Sequence, residues 1–132
     1  MKPTEAMRQL LLSIPAVTDI VGTRIYAHRL PEVQAQALTV DPSIAVIEAG
    51  STMRGHSPVW HVKLTLHCVA LSEAGALSIA SAVFAAIHDR TNLSAAGVRW
   101  INCWCEIGPA EKDETTQWDI VQLDIEALAV AS

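Results

Sequence analysis

Near the start of the chain, apolar residues recur at helical spacing: Ala6, Met7, Leu10, Leu11 and Ile14 share one face, and Glu5, Arg8, Gln9 and Ser13 share the other. The pattern predicts a helix with Thr4 at its N-cap. Pro15 disfavours helical geometry at Ile14, so the helix stops there, and Val17, Ile20 and Val21 resume the spacing until Gly22. Arg24 to Leu30 reads as a strand. Pro31 to Ser43 follows as a polar connection, Ile44 to Ala49 as a short apolar strand, and Gly50 to Pro58 as a hairpin loop.

From Trp60 to Cys68 the period changes to two. Trp60, Val62, Leu64, Leu66 and Cys68 alternate with His61, Lys63, Thr65 and His67, which predicts a strand with one packed face and one wet or partnered face. Ser72 then caps a long helix with Ala76, Leu77, Ala80, Val83, Phe84 and Ile87 on its apolar arc, ending near Arg90 to Asn92. Its back carries Ser78, Ser81, Ala82, Ala85 and Ala86, small enough for a second surface to approach; the high helix propensity of Ala explains the pattern equally well. Val98 to Ile107 is apolar on both faces, with Val98, Trp100 and Trp104 on one and Ile101, Cys103, Cys105 and Ile107 on the other. Such a strand is central or covered by a neighbouring subunit. Gly108 to Thr116 reads as a charged loop, and the last strand alternates Val121, Leu123, Ile125 and Ala127 with Gln122, Asp124 and Glu126. Together these predict an α+β domain: an antiparallel or mixed β-sheet with an N-terminal helix and one long helix packed on one face.

Composition narrows the classes. A chain of 132 residues, 51% hydrophobic, buries roughly two-thirds of its unfolded surface and reads as a single domain, residues 1–132. With 9 basic against 14 acidic side chains and no basic cluster, it lacks the cations that neutralise phosphates in sequence-independent duplex binding. The three cysteines, Cys68, Cys103 and Cys105, are odd in number and lie among apolar residues, which suits buried thiols in a reducing compartment. No apolar run reaches the roughly 20 residues of a membrane span, and the N-terminus lacks a signal-peptide core, so synthesis in the cytoplasm is expected.

Candidate chemistry is sparse. His56, His61 and His67 with Cys103 or Cys105 form a weak metal pattern, because zinc-binding cysteine pairs have two or more intervening residues and this pair has one. A thiolate nucleophile needs an electropositive cleft, whereas these cysteines neighbour Trp, Leu and Ile. Asp124 and Glu126 share a strand face, as on any solvated strand, and no phosphate loop, nucleotide fingerprint or nucleophile elbow occurs. No catalytic, cofactor or metal residues are assigned. The tryptophans Trp60, Trp100, Trp104 and Trp118 read as core or interface anchors.

The segment Pro15-Ala16-Val17-Thr18-Asp19-Ile20-Val21-Gly22-Thr23-Arg24-Ile25-Tyr26, followed by Arg29-Leu30-Pro31, resembles the small tail-completion proteins of long-tailed phages and prophages. The later order agrees: a strand ending His67-Cys68-Val69-Ala70, a helix from Glu73 to His88, and a last strand opening Trp118-Asp119. The similarity runs over roughly residues 5 to 127 and rests on the order of otherwise generic motifs. It implies a tail terminator in the virion: a homo-oligomeric ring, usually of six copies, at the head-proximal end of the tail tube. Such a ring stops tube polymerisation and joins the tail to the head connector or a neck protein, with DNA passing only transiently through its lumen. The alternatives are a neck or head-completion protein of the same assembly line and, more distantly, a small cytosolic metal- or Cys-dependent enzyme using His61, His67 or Cys103. The connection Pro31 to Ser43 and the strand Trp100 to Cys105 depart from the family pattern. Six copies at −5 carry about −30 in total, and a negative lumen keeps DNA from sticking. Arg54 and His56 in the first loop, and Glu111, Lys112, Asp113 and Glu114 in the second, are the candidate interface or lumen residues.

Overall fold

The computed structural model describes residues 2–27, 41–53, 59–113 and 118–131. Proline opens both N-terminal helices, because its fixed φ suits the first helical position and its missing N–H has no partner to lose there. Helix α1 (Pro3–Leu12) therefore starts at Pro3 behind an extended Lys2; Thr4, predicted as the cap, is buried inside it. Helix α2 (Pro15–Val21) repeats the device and ends at Gly22, whose φ of 60° is left-handed and favours glycine.

Of the strand predicted for Arg24 to Leu30, β1 is described as Ile25–Ala27; its continuation, and the connection from Pro31 to residue 40, lie outside the described residues. Strand β2 (Ser43–Glu48) runs parallel to β1 and antiparallel to β4 (Val59–Ala70). The short β3 (Thr52–Met53) continues along the same edge of β4, so part of the predicted Gly50 to Pro58 loop is strand. Between β2 and β3 the register slips by one residue. The Glu48 carboxylate accepts N–H bonds from Gly50 and Ser51, and the Lys63 N–H donates to Ser51 Oγ at 3.0 Å, so side chains bridge the gap in the ladder.

Ser72 Oγ accepts the Gly75 N–H at 3.0 Å and caps helix α3 (Glu73–Ile87), as the sequence predicts. A Cβ at position 75 would stand 3.1 Å from both Ala70 Cβ and Ser72 Oγ, so glycine permits this close turn. The buried stripe is Ala76, Ile79, Ala80, Val83 and Ile87, narrower than the predicted arc. It includes Ile79 and leaves Leu77 45% exposed and Phe84 half-buried.

Beyond α3, β5 (Thr91–Ala95) pairs with β6 (Val98–Lys112) across an Ala96–Gly97 turn with φ of 51° and 81°. Strand β5 is not legible in the sequence, because Ala-Gly is a weaker hairpin signal than Asn-Gly and an edge strand needs little apolar alternation. Strand β7 (Asp119–Ala131) lies between β6 and β4 and completes a sheet of seven strands among the described residues, in order β1-β2-β4-β7-β6-β5 with β3 beside β4. This is the expected α+β architecture with a mixed sheet. The core lies between one sheet face and the helices, and includes Met7, Leu10, Leu11, Leu64, Leu66, Ile79, Trp100, Leu123 and Ile125. No helix among the described residues is long and apolar enough to cross a membrane.

Two bulges correct the predicted faces of β6. Trp100 pairs with Ala129, but Asn102 pairs with Leu128, so one extra residue enters between them. After the slip Cys103 and Cys105 face the core with Trp100, and Trp104 turns to the opposite face, 58% exposed. The strand expected to be apolar on both sides thus has one core face and one largely exposed face. A second slip between Ile107 and Ala110 lies beside Gly108, where a Cβ would meet the Gln122 carbonyl oxygen at 3.3 Å. The strand then continues to Lys112, so Glu111 and Lys112 belong to β6 rather than to the predicted loop.

Candidate functional site

Among the described residues, the helices cover one face of the sheet. On the other, β4 contributes His61, Lys63, Thr65 and His67, β7 contributes Gln122, Asp124, Glu126 and Leu128, and β6 contributes Asn102, Trp104 and Glu106. Lys63, Glu126 and Trp104 form one cross-strand row, and Thr65, Asp124 and Glu106 form the next. His61 Nε2 lies 2.7 Å from Glu126 Oε1, and Thr65 Oγ1 donates to Asp124 Oδ1 at 3.0 Å. Both pairs are exposed, so they organise the surface and add little stability. Glu106 and Asp124 are like charges directly opposite one another, an arrangement that destabilises a sheet unless a cation lies close.

Two concavities lie on this face, with Trp104 lining both. The larger, 560 Å³, is walled by Val59, His61, Asp89, Asn102 and Leu128 among others. The smaller, 340 Å³, is walled by Ala49, Lys63, Glu106, Asp124 and Ile125 among others. Nearer the sheet's other end, Val69 and Trp118 form a small separate cluster with Ile120.

His67 has its pKa lowered by burial, against the opposing pull of the Glu111 and Asp124 carboxylates; Ala45 and Gln122 flank it across the sheet. Its folded pKa therefore lies below the ordinary 6.5, and in the window between the two the unfolded chain binds more protons. Its contribution to stability is complete above that window and is lost as pH falls through it. Replacing His67 by Gln should therefore flatten the loss of urea resistance as pH falls below 6.5. An identical acid sensitivity in both proteins would show that another group controls it.

Of the candidate loop residues, Glu111 and Lys112 are exposed at the end of β6, with Lys112 Nζ 3.5 Å from Asp119 Oδ2. Asp113 follows, its N–H bonded to the Trp118 carbonyl at 2.8 Å, which closes the stem of the β6–β7 hairpin. Glu111 lies opposite Ile120, so it joins the sheet face that carries Gln122 and Asp124. Arg54, His56 and Glu114 lie outside the described residues. The weak metal pattern does not converge: Cys103 and Cys105 face the core while His61 and His67 face the other way. Among the described residues no group of three or more His, Cys, Asp or Glu side chains is placed to hold a metal ion. All three thiols are pushed up to about 12 by burial, opposite to the activation a nucleophilic cysteine needs. The sequence reading missed the exposure of Trp104; the polar Asn102 inside the apolar run was the local sign of a change of face.

Among curated proteins no match is found. A chain from a solved structure, "Virion of native gene transfer agent (GTA) particle", shares the fold at 17% identity with a TM-score of 0.65, over 98% of this chain and 95% of that one. The profile of the family described as "Tail completion protein gp17" matches residues 5–129, nearly the stretch over which the sequence motifs resemble tail-completion proteins. With the expected α+β fold in place and the family profile spanning nearly the whole chain, the protein belongs to the tail completion protein gp17 family of structural phage tail proteins.

Proposed function

We propose that the protein is a tail terminator: copies of it, six in number, form a ring at the head-proximal end of the tail tube, stop its polymerisation and present the surface that joins the head connector. The observation that carries this reading is the family match over residues 5–129. An exposed helix surface supports it. A heterologous ring covers such a patch on every copy. On this chain the α3 back is one, with Leu71 and Leu77 53% and 45% exposed beside Ala74, Ser78, Ser81 and Ala85. The acidic tip around Glu111 and Asp113 is the segment we assign to the lumen or the tube protein, where negative charge repels passing DNA. No enzymatic step enters this reading.

The test is mass in solution by light scattering, alone and with purified tail-tube protein, with negative-stain imaging of the same samples. A ring of about six copies, free or capping tube ends, is expected. Particles made without the protein should carry overlong tails. Normal tails beside unjoined heads would instead identify a neck protein, and a monomer indifferent to tubes would remove the terminator reading.

A further inference from the structure

On the sheet face opposite the described helices, Trp104, the most exposed large apolar side chain among the described residues, is held in place. The Trp104 ring meets His88 at 4.4 Å between centroids and 60° tilt, and His88 stacks on Phe84 at 4.1 Å. His88 Nδ1 in turn accepts the Cys105 N–H at 3.0 Å, which fixes the imidazole from the strand side. An exposed indole propped in this way gives a partner a pre-ordered surface, with little conformational freedom left to lose on contact.

The surroundings define what fits. Glu126 lies directly across from Trp104, Glu106 follows it on the same strand face, Asp124 is diagonal, and Asp89 rims the larger concavity. Among the described residues the nearby cations are Lys63 and, when protonated, His61, which already lies on Glu126; His88, against the indole, holds its Nδ1 as an acceptor for the Cys105 N–H. Among these described groups carboxylates outnumber cations around an aromatic plate, and the facing Glu106 and Asp124 gain from any positive charge placed between them. Apolar side chains wall the larger concavity at Val59 and Leu128, while Ala49 stands among Lys63, Thr65, Glu106 and Asp124 in the smaller.

We propose that the Trp104 face docks an arginine-bearing segment of a partner protein, with the guanidinium over the indole, Glu106 and Glu126 accepting its N–H bonds, and a neighbouring apolar side chain in the larger concavity beside Val59 and Leu128. Arginine fits better than lysine because its planar fork stacks on an aromatic face while bonding carboxylates in its own plane. The inference concerns the face itself and does not depend on the ring. Arg99 lies on the same sheet face as Trp104, so it reaches a neighbouring copy's indole only in a face-to-face pair, which the test below separates from a partner's arginine.

The probe is a capped Leu-Arg-Leu-Arg-Leu peptide, with lysine and glutamate counterparts, titrated while the indole N–H signals of the four tryptophans are followed by NMR. The Trp104 signal should move with the arginine peptide, several-fold less readily with lysine, and not with glutamate. W104A should weaken binding by about tenfold or more, and E106Q and E126Q by several-fold each. These residues are exposed, so the variants should fold, and the buried tryptophan signals report whether they do. Equal binding of the glutamate peptide, or undiminished affinity in W104A, would overturn the assignment. A dimer abolished by R99Q would reassign the face to a second copy.

Discussion

Replacing Trp100 by Ala should destabilise the protein by about 3–5 kcal/mol, a large share of the roughly 5–15 kcal/mol that holds a domain of this size together. Trp100 is fully buried near the start of β6, opposite Ala129, and Ala129 is too small to expand into the void. Replacement by Phe should behave differently. The indole Nε1 is buried with no hydrogen-bond partner among the described residues, so the native side chain already bears the cost of an unmade bond. Phe keeps most of the volume and removes that polar atom, and should cost less than about 1.5 kcal/mol. Urea unfolding followed by far-UV circular dichroism measures both. If Phe proves as damaging as Ala, the Nε1 proton has a partner in solution. If Ala costs under about 1 kcal/mol, the placement of Trp100 in the core fails.

The second large effect is on thiol reactivity. Burial raises all three cysteines from 9.0 to about 12, with Cys103 adding to the shift of its neighbour Cys105. A rise of three units lowers the thiolate fraction at neutral pH about a thousandfold, and the thiolate is the nucleophile. Ellman's reagent at pH 8 should therefore label the folded protein at least about 10³ times more slowly than free cysteine, and all three thiols should react on unfolding. Rapid labelling of Cys103 or Cys105 would mean that β6 does not hold its bulged register. Trp100 and the thiols thus probe the same slip from two sides: one by volume, the other by access.

How much was legible in advance follows from how local each signal is. The alternation in β4 and β7 is a property of consecutive residues, and the faces read from it are the faces observed, with Leu64, Leu66, Leu123 and Ile125 in the core and His67 and Asp124 outside. The Ser72 cap and the proline breaks are equally local. The α+β class follows from these pieces, because elements with one apolar face must cover one another. The parallel pairing of β1 with β2 and the placement of β7 between β4 and β6 join residues far apart along the chain, and no local pattern encodes them.

The candidate site was less legible for the same reason. Glu111 and Lys112 look like loop residues because their run is charged, yet they extend β6, since β7 offers a ladder of backbone groups whatever the side chains outside it. Trp104 was counted with Trp100 because two-residue alternation puts them on one face. The bulge that separates them exists only where β6 meets β7. By itself the sequence determined the helices, the two clearly alternating strands, the buried thiols and the family, all of which are written in spacing and order. Only the tertiary structure decided which face Trp104 occupies, that carboxylates surround it, and that Trp100 rather than Trp104 fills the core. These depend on register between distant strands and on which face the helices cover, and both are settled by pairing and packing across the whole sheet.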